Sequence, residues 1–269
     1  MTNKTCPRCG NNKFYKIRRR KLKCKSCNYE FSTQPRIGGL GLTKREWRKL
    51  IFWFLIGQSI RGIENRTGLS HYSVTKGTRI LRRVMANDIP QVFSGTVEVD
   101  ETYLGGRKKN KRKSQLKKDQ KWFGKPSRRG FGTTKQPVFG ILTRNGKVFA
   151  KLVDDTEAVS LIPIITKQVK AGSRVCSDTW RAYTGLAAKG YVHRTVKHRE
   201  KEYVRGRNHI NGLEGFWGYL KRQLSAKGGV QQKYLHLFLG EYVWRYNYRG
   251  LGVDQQVEFL MGKLVGFSG

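Results

Sequence analysis

The chain has 269 residues, of which 38% are apolar, and it carries 55 Lys+Arg against 18 Asp+Glu. The apolar fraction, together with 31 glycines, is typical of a globular protein and argues against disorder throughout. The formal net charge of +37 opposes compaction unless a polyanion binds, which indicates nucleic acid or, as the competing partner, an acidic membrane surface. No apolar run reaches the roughly 18 residues of a membrane span, and the basic N-terminus leads to a cysteine rather than to a signal-peptide core. We therefore expect a soluble intracellular protein that binds nucleic acid and no membrane.

Four of the five cysteines form two Cys-x-x-Cys pairs near the N-terminus, with 14 residues between the pairs. Two thiolates two residues apart can occupy two corners of a tetrahedron around zinc, and a second pair completes it. Disulfides are the alternative, and an intracellular setting argues against them. Strand-like residues 14–23 and 28–31 complete the pattern of a zinc ribbon over residues 1–34, with a structural zinc ion. The predicted zinc ligands are Cys6, Cys9, Cys24 and Cys27.

Residues 42–88 follow a glycine-rich linker and contain three stretches with helical spacing. The sequence TKRE at residues 43–46 is a capping box, and apolar residues follow it at the spacing of one helix face. The second stretch ends at Gly68, and the third begins after Ser70 and has a polar, basic outer face. This order is typical of a helix-turn-helix that reads DNA, whereas a helical linker with a solvated basic face is the alternative. The outer-face cations that we assign to DNA are Lys76, Arg79 and Arg82.

Beyond residue 92 the pattern changes to strands. Three strands come first, and the Arg-Asn-Gly sequence between the second and third is a hairpin signal. Alternating helix and strand and a late amphipathic helix follow. This order predicts an α/β fold with a mixed sheet of ribonuclease-H type over residues 92–250, and we describe residues 251–269 as a C-terminal tail. The predicted elements are strands at residues 95–103, 138–143 and 147–153, a helix at 158–169, strands at 174–178 and 192–197, and a helix at 211–224.

The segment between the first two core strands, residues 106–135, carries 13 Lys+Arg and one acidic residue. A loop without order is one interpretation. The other is a clamp on DNA phosphates, whose affinity would depend steeply on salt. We favour the clamp, because so much unrelieved positive charge repels itself unless it finds an anion.

Acidic residues are rare in this chain, so those at strand ends are candidate metal ligands. Asp100 and Asp178 each lie at or near the end of a predicted strand, and Glu214 lies on the late helix. On that helix Asn211, Glu214 and Lys221 form a stripe beside the apolar face. Three carboxylates from two strands and a helix can hold two Mg²⁺ ions for in-line phosphoryl transfer. Spacing alone does not show that these residues converge.

Three motifs together resemble the IS1595/ISXO2-like insertion-sequence transposases. They are VEVDETYLGG at residues 97–106, SDTWRAY at residues 177–183 and HINGLEGFWGYLKR at residues 209–222. The N-terminal cysteine ribbon and the late WRYNYR sequence at residues 244–249 are also similar to that family, and the ordered set spans nearly the whole chain. The resemblance implies a DNA transposase with a ribonuclease-H-like core, structural Zn²⁺ and catalytic Mg²⁺ or Mn²⁺.

The resemblance also implies roles for individual residues. Asn211 is the alternative third metal ligand, because some members of the family are described with asparagine in that role. We prefer Glu214, because a carboxylate binds Mg²⁺ better than an amide does. Glu98 and Glu101 are expected to support the site or to be solvated. The implied metal ligands are Asp100, Asp178 and Glu214. The residues of the late helix that we assign to DNA are Lys221 and Arg222.

The activity that the resemblance implies is cleavage of transposon ends, followed by attack of the freed 3′-hydroxyl on target DNA. The expected partners are double-stranded DNA, as terminal inverted repeats and as target, and further copies of the chain, since two ends must be handled. Two alternatives remain: a metal-dependent nuclease of the same fold without strand transfer, and a non-catalytic DNA-binding regulator derived from a transposase. The expected setting is the cytoplasm of a prokaryotic host, in association with the nucleoid.

Overall fold

The structure is a computed structural model, and it divides the chain into one unit of residues 1–84 with 252–269 and another of residues 85–251. Most of the predicted basic insertion, residues 106–134, lies outside the described residues. Within the described part, none of the helices is both long and apolar enough to span a bilayer. The described residues are 5–18, 21–32, 37, 39–90, 92–105, 135–143, 146–178, 181–195 and 211–266.

The N-terminal residues form a three-stranded antiparallel sheet. β1 (Phe14–Arg18) pairs with β2 (Lys21–Cys24), and β2 pairs with β3 (Glu30–Ser32). The sequence pattern predicts one strand-like stretch over residues 14–23, whereas the structure divides it into two paired strands. A run of cations has no apolar alternation to show where the chain turns back, and this explains the difference.

Three helices follow the ribbon: α1 (Lys44–Leu55), α2 (Ile60–Thr67) and α3 (His71–Asn87). The predicted capping box is present, because the N–H of Glu46 donates to Thr43 Oγ1 at 3.1 Å and the N–H of Thr43 donates to Glu46 Oε2 at 2.6 Å. The three predicted helices are therefore confirmed. Apolar residues at helical spacing in α1 and α3 are buried: Trp47, Leu50, Ile51, Phe54, Leu55, Val74, Leu81 and Val84.

The second unit is built on one five-stranded mixed sheet. Its strands are β4 (Thr96–Leu104), β5 (Gln136–Thr143), β6 (Val148–Leu152), β7 (Arg174–Ser177) and β8 (Val192–Thr195). The order across the sheet is β6-β5-β4-β7-β8. β4, β5 and β6 are antiparallel neighbours, while β7 and β8 run parallel to β4. The predicted mixed α/β arrangement is confirmed.

Helices cover both faces of this sheet. α4 (Ala158–Gln168) packs on one face, in a core cluster that includes Val99 of β4. α5 (Asn211–Ala226) and α6 (Leu235–Asn247) contribute the core cluster of the opposite face. Because consecutive residues of a strand point to opposite faces, Asp100 lies on the face covered by α5.

The C-terminal segment, residues 251–269, is predicted as a tail and contains helix α7 (Val253–Val265). This helix belongs to the first unit and packs on α1, where the guanidinium of Arg48 donates two hydrogen bonds to Glu258 at 2.8 and 2.9 Å. An exposed ion pair contributes little to stability, so the apolar face of α7 supplies most of the stabilisation. The buried residues of that face are Val257, Leu260, Met261 and Leu264.

Candidate active site and zinc site

The parallel pairing of β4 and β7 leads Asp100 and Asp178 to the same region of the sheet. In the register of these strands Glu98 lies opposite Cys176, and two further residues along each chain lead to the two aspartates. The charge of Asp178 raises the pKa of Asp100, as expected for neighbouring carboxylates. The structure thus brings together the two aspartates that the sequence predicts to share a site.

Negative charge is concentrated around Asp100. Burial raises the pKa of Asp100 to about 7, and the charges of Asp178 and Glu214 act in the same direction. Hydrogen bonds from the backbone N–H of Glu101 and from the indole N–H of Trp217 oppose the increase. The ionised form of Asp100 is therefore costly in this structure, and a divalent cation would offset that cost.

The third predicted ligand, Glu214, lies in the first turn of α5 with an exposed side chain, and its charge acts on Asp100. Asn211, the alternative, is the first residue of α5, and its side chain lies outside the described part of the structure. Among the described residues, the ribbon cysteines are the group of possible ligands whose donor atoms all lie within 4.8 Å of one another, and the three acids do not form such a group. Carboxylate oxygens are the donors that hard cations such as Mg²⁺ prefer, so the chemistry of the three acids fits these ions.

Trp217 connects α5 to the strand that carries Asp100. Its buried indole donates from Nε1 to Asp100 Oδ2 at 3.0 Å. Gly140 of β5 pairs with Asp100, and a Cβ at this position would lie 2.5 Å from Cζ2 of Trp217. The missing side chain at Gly140 therefore makes room for the indole. The helical pattern predicts that Trp217 is buried, but it does not reveal this bond, because the partner is 117 residues away.

Two further acids of β4 are hydrogen-bonded inside the second unit. Glu98 is 1% exposed and accepts a hydrogen bond from the backbone N–H of Leu213 at 2.9 Å. Glu101 accepts a hydrogen bond from the hydroxyl of Tyr183. Burial raises the pKa of Glu101 to about 8, and the charges of Asp100 and Asp178 contribute to the increase. Of the two expectations for these acids, the contacts favour a supporting role over solvation.

The four ribbon cysteines form the second candidate metal site. Sγ of Cys6 lies 3.6 Å from Sγ of Cys27, and Sγ of Cys9 lies 3.5 Å from Sγ of Cys24. A tetrahedron with Zn–S bonds of about 2.3 Å has edges of about 3.8 Å, close to these distances. A disulfide would need about 2.05 Å, and all four cysteines are free. The backbone N–H of Cys27 lowers the pKa of Cys24 to about 7, whereas burial and hydrogen bonds with the other three thiols raise the pKa of Cys27. The site fits zinc.

Two models of known protein families match segments of this chain. A family model described as an ISXO2-like transposase domain matches residues 92–247, and one described as a transposase zinc-ribbon domain matches residues 2–30. The chain belongs to the ISXO2-like transposase family. A Haemophilus influenzae protein described as an uncharacterized transposase-like protein is 34% identical over 101 residues, 38% of this chain and 81% of that protein. A Halobacterium salinarum protein described as an uncharacterized protein in transposable element ISH50 is 27% identical over 234 residues, 84% of this chain and 77% of that protein.

Cations border the acid cluster of the transposase domain. Loss of hydration lowers the pKa of Lys221, the charge of Asp100 raises it, and the charge of Lys135 lowers it again. Lys135 is the last residue of the predicted basic insertion, and its ammonium group acts on Lys221 beside Asp100. Arg222 is exposed, and a Cβ at Gly218 would lie 3.3 Å from its Nη1. The structure thus brings Lys221 to the predicted metal site and leaves Arg222 on the surface of α5.

The three predicted DNA-binding cations of α3 differ in their surroundings. Arg79 is exposed. The ammonium group of Lys76 donates to the hydroxyl of Tyr72 at 3.2 Å, and the guanidinium of Arg82 lies 5.3 Å from the ring centroid of Phe54. Both contacts hold their cation beside an aromatic side chain.

The late WRYNYR motif of the transposase domain has a structural role in this protein. The side chain of Asn247 accepts a hydrogen bond from the backbone N–H of Val148 at 2.7 Å and donates one to the carbonyl of Val148 at 2.8 Å. These two bonds satisfy the backbone polar groups of Val148 on the edge strand β6. The indole of Trp244 and the hydroxyl of Tyr248 both donate to Asp88 Oδ2, at 3.2 and 2.7 Å. These contacts tie α6 to the sheet and to the chain that follows α3.

Proposed function

We propose that the protein is a transposase that cleaves transposon ends and joins the freed 3′-hydroxyl to target DNA. The observation that carries this proposal is the acid cluster: the parallel register of β4 and β7 leads Asp100 and Asp178 to the same region of the sheet, and α5, which carries Glu214, is hydrogen-bonded to Asp100 through Trp217. Membership of the ISXO2-like transposase family supports the transposase role. The strand order β6-β5-β4-β7-β8, with three antiparallel strands followed by two parallel ones, supports a ribonuclease-H-like core over residues 92–250.

Asp100, Asp178 and Glu214 would hold two Mg²⁺ or Mn²⁺ ions. Carboxylate oxygens are the donors that these hard cations prefer, and the crowding of negative charge around Asp100 favours cation binding. When bound, such ions stabilise the attacking and leaving oxygens of an in-line phosphoryl transfer. Water would be the nucleophile for end cleavage and the DNA 3′-hydroxyl the nucleophile for joining, so neither step needs a covalent protein intermediate.

The other groups of the site orient the ligands and neutralise DNA. Trp217 fixes the rotation of the Asp100 carboxylate through Oδ2. Lys221 would bind a phosphate next to the acids, and Arg222 would bind one farther along the same helix. Because each such contact releases counterions from DNA, affinity for DNA should fall steeply as salt rises.

We further propose a division of roles along the chain. The ribbon of residues 1–34 and the helical section of residues 42–88 would bind the transposon end, with Lys76, Arg79 and Arg82 on the DNA-facing side of α3. Residues 106–135 would clamp DNA phosphates. Two ends must be held for joining, so we expect at least two copies of the chain on DNA.

The test is a strand-transfer assay with the full-length, zinc-loaded protein and Mg²⁺. The substrates are a pre-cleaved duplex, with its sequence taken from the inverted repeats that flank the gene, and a supercoiled target plasmid. We expect products in which the duplex is joined to the plasmid. Cleavage of an uncut end without joined products would favour a metal-dependent nuclease. Binding of the end without any reaction would favour a non-catalytic regulator.

A further inference from the structure

Two carboxylates on one face of β4 receive hydrogen bonds from α5. The backbone N–H of Leu213 donates to Glu98 Oε2 at 2.9 Å, and the indole of Trp217 donates to Asp100 Oδ2 at 3.0 Å. Residues two apart on a strand are separated by about 6.6 Å, and residues four apart on a helix by about 6 Å along its axis. Because the two spacings match, the helix is held to the strand at two points.

Glu98 forms the more deeply buried of these two points. Its approach to the helix depends on Gly212, because a Cβ at that position would lie 3.0 Å from Oε2 and 3.2 Å from Oε1 of Glu98. The same Cβ would lie 3.0 Å from Leu142 Cδ2. A larger residue at position 212 would therefore require Glu98, Leu142 or the first turn of α5 to shift by a few tenths of an ångström.

The origin of the acceptor distinguishes this contact from an ordinary helix cap. The first N–H groups of a helix have no partner within the helix, and a side chain just before it usually accepts from one of them. Here the acceptor for Leu213 comes from Glu98, which is 115 residues earlier in the chain and two residues from Asp100. The contact therefore joins the two elements that carry Asp100 and Glu214.

We infer that Glu98 is a positioning residue that sets the first turn of α5, and with it Glu214, relative to Asp100. Glu214 directly follows Leu213, so any displacement of the Leu213 N–H moves Glu214 as well. This inference rests on the proposed function, because it requires Asp100 and Glu214 to hold metal ions together. Loss of Glu98 should therefore weaken metal binding even though Glu98 does not bind the metal itself.

The test measures binding of Mn²⁺ alone to the full-length, zinc-loaded protein by electron paramagnetic resonance. We expect Glu98→Ala to weaken Mn²⁺ binding by about 10–100-fold, the usual effect of removing a group that orients a metal ligand. Glu98→Gln should bind Mn²⁺ almost as well as the wild type, because its side-chain oxygen still accepts from Leu213. Val99→Ala, a control on the opposite face of β4, should lower the melting temperature without changing the affinity for Mn²⁺.

The variants separate this inference from the proposed function. If Asp100→Asn loses Mn²⁺ binding while Glu98→Ala keeps it, the positioning role is wrong and the proposed function stands. A Glu98→Gln protein as defective as Asp100→Asn would make Glu98 a ligand and would also overturn the inference. If Asp100→Asn binds Mn²⁺ like the wild type, the proposed function fails and the inference fails with it.

A second variant keeps the test decisive if Glu98→Ala does not fold. Gly212→Val retains the carboxylate of Glu98 but places two methyl groups where the carboxylate oxygens approach the helix. We expect weaker Mn²⁺ binding in this variant as well. An affinity equal to that of the wild type, in a folded Gly212→Val protein, would contradict the positioning role.

Discussion

The indole Nε1 of Trp217 lies 3.0 Å from Oδ2 of Asp100 and donates a hydrogen bond to it. Trp217 also belongs to the core cluster that packs α5 on the sheet, so one side chain both fills the core and orients a predicted metal ligand. Gly140, opposite Asp100 on β5, leaves the space that the indole occupies. The packing of the helix and the geometry of the acid cluster are therefore coupled.

This coupling predicts the effect of Trp217→Phe, which keeps an aromatic ring and removes the N–H. We expect Mg²⁺-dependent cleavage to fall by about 10–100-fold, because the carboxylate of Asp100 loses the group that fixes its rotation. The free energy of unfolding should fall by about 1 kcal/mol for the lost hydrogen bond and by a further amount for the cavity that the smaller ring leaves. Cleavage of a terminal-repeat duplex and thermal unfolding provide the two measurements.

Trp244→Phe is the matched control, because it removes an indole hydrogen bond of similar length, which Trp244 of α6 donates to Asp88. It should cost similar stability and leave cleavage at the wild-type level. Equal losses of cleavage in both variants would show that the Trp217 bond matters for folding rather than for Asp100.

Local spacing is sufficient to predict most elements of this fold and the packed face of α5. Leu213, Phe216, Trp217 and Leu220 recur at helical spacing, and all four are buried. Periodicity reports which side of an element is buried, since burial alternates with a fixed period along a helix or strand. Periodicity does not show which residues of another element pack against that buried side.

The missed contacts of the site are therefore all long-range. Glu98 and Leu213 are 115 residues apart, and nothing in the residues around Glu98 distinguishes a buried acceptor from a solvated acid. The same limit applies to α7, whose Glu258 pairs with Arg48 across 210 residues. The glycines at positions 140 and 212 were available as signals, because a glycine inside a strand or helix often marks a close approach.

A second prediction concerns pH and Glu101. Its pKa is about 8 in the folded protein against an ordinary value of 4.5, so the folded state binds more protons than the unfolded state between these values. The contribution of Glu101 to the free energy of unfolding is therefore greatest below pH 4.5. It decreases as pH rises towards 8, by at most about 1.4 kcal/mol per pH unit. Glu101→Gln should flatten this dependence.

Thermal unfolding between pH 5 and pH 8, without added Mg²⁺ or Mn²⁺, checks the prediction. The wild type should lose stability as pH rises, and Glu101→Gln should lose less. The remaining dependence should come partly from Asp100, whose pKa is about 7. Identical pH dependence in the two proteins would show that Glu101 is already ionised at neutral pH.

A third prediction concerns zinc. Removing zinc should unfold residues 1–34 and spare the second unit, because so short a segment cannot bury a sufficient core without its metal. Cys9→Ser should reduce the zinc content and abolish the amide NMR signals of the folded ribbon. Cys176→Ala, which removes a buried thiol of β7, should retain both. A ribbon that keeps its folded amide signals after chelation would contradict the prediction.

A fourth prediction concerns Lys221 and DNA. Lys221→Ala should weaken binding of a terminal-repeat duplex and reduce the salt dependence of the affinity by about one phosphate contact. Lys167→Ala, an exposed lysine on α4, should leave both unchanged, because α4 covers the opposite face of the sheet. Gel-shift titrations at several salt concentrations measure the slope. An unchanged slope in Lys221→Ala would exclude a phosphate contact at this residue.

The fifth prediction separates DNA binding from chemistry at the three acids. Asp100→Ala, Asp178→Ala and Glu214→Ala each remove a carboxylate near the DNA phosphates. Affinity for DNA without divalent metal should therefore stay constant or increase, because repulsion of the phosphates decreases. Mg²⁺-dependent nicking should fall by several orders of magnitude, because displaced ions lose the in-line geometry. Asn211→Ala tests the alternative third ligand in the same assay.

Nicking of one terminal-repeat duplex by these variants, with gel-shift affinity measured on the same duplex, is the most direct test of the proposed metal site. We expect retained binding and lost nicking in all three acid variants, with nicking preserved in Asn211→Ala. Normal nicking in Glu214→Ala beside an inactive Asn211→Ala would transfer the third ligand role to Asn211. Full nicking activity in Asp100→Ala, Asp178→Ala and Glu214→Ala would contradict the two-metal mechanism.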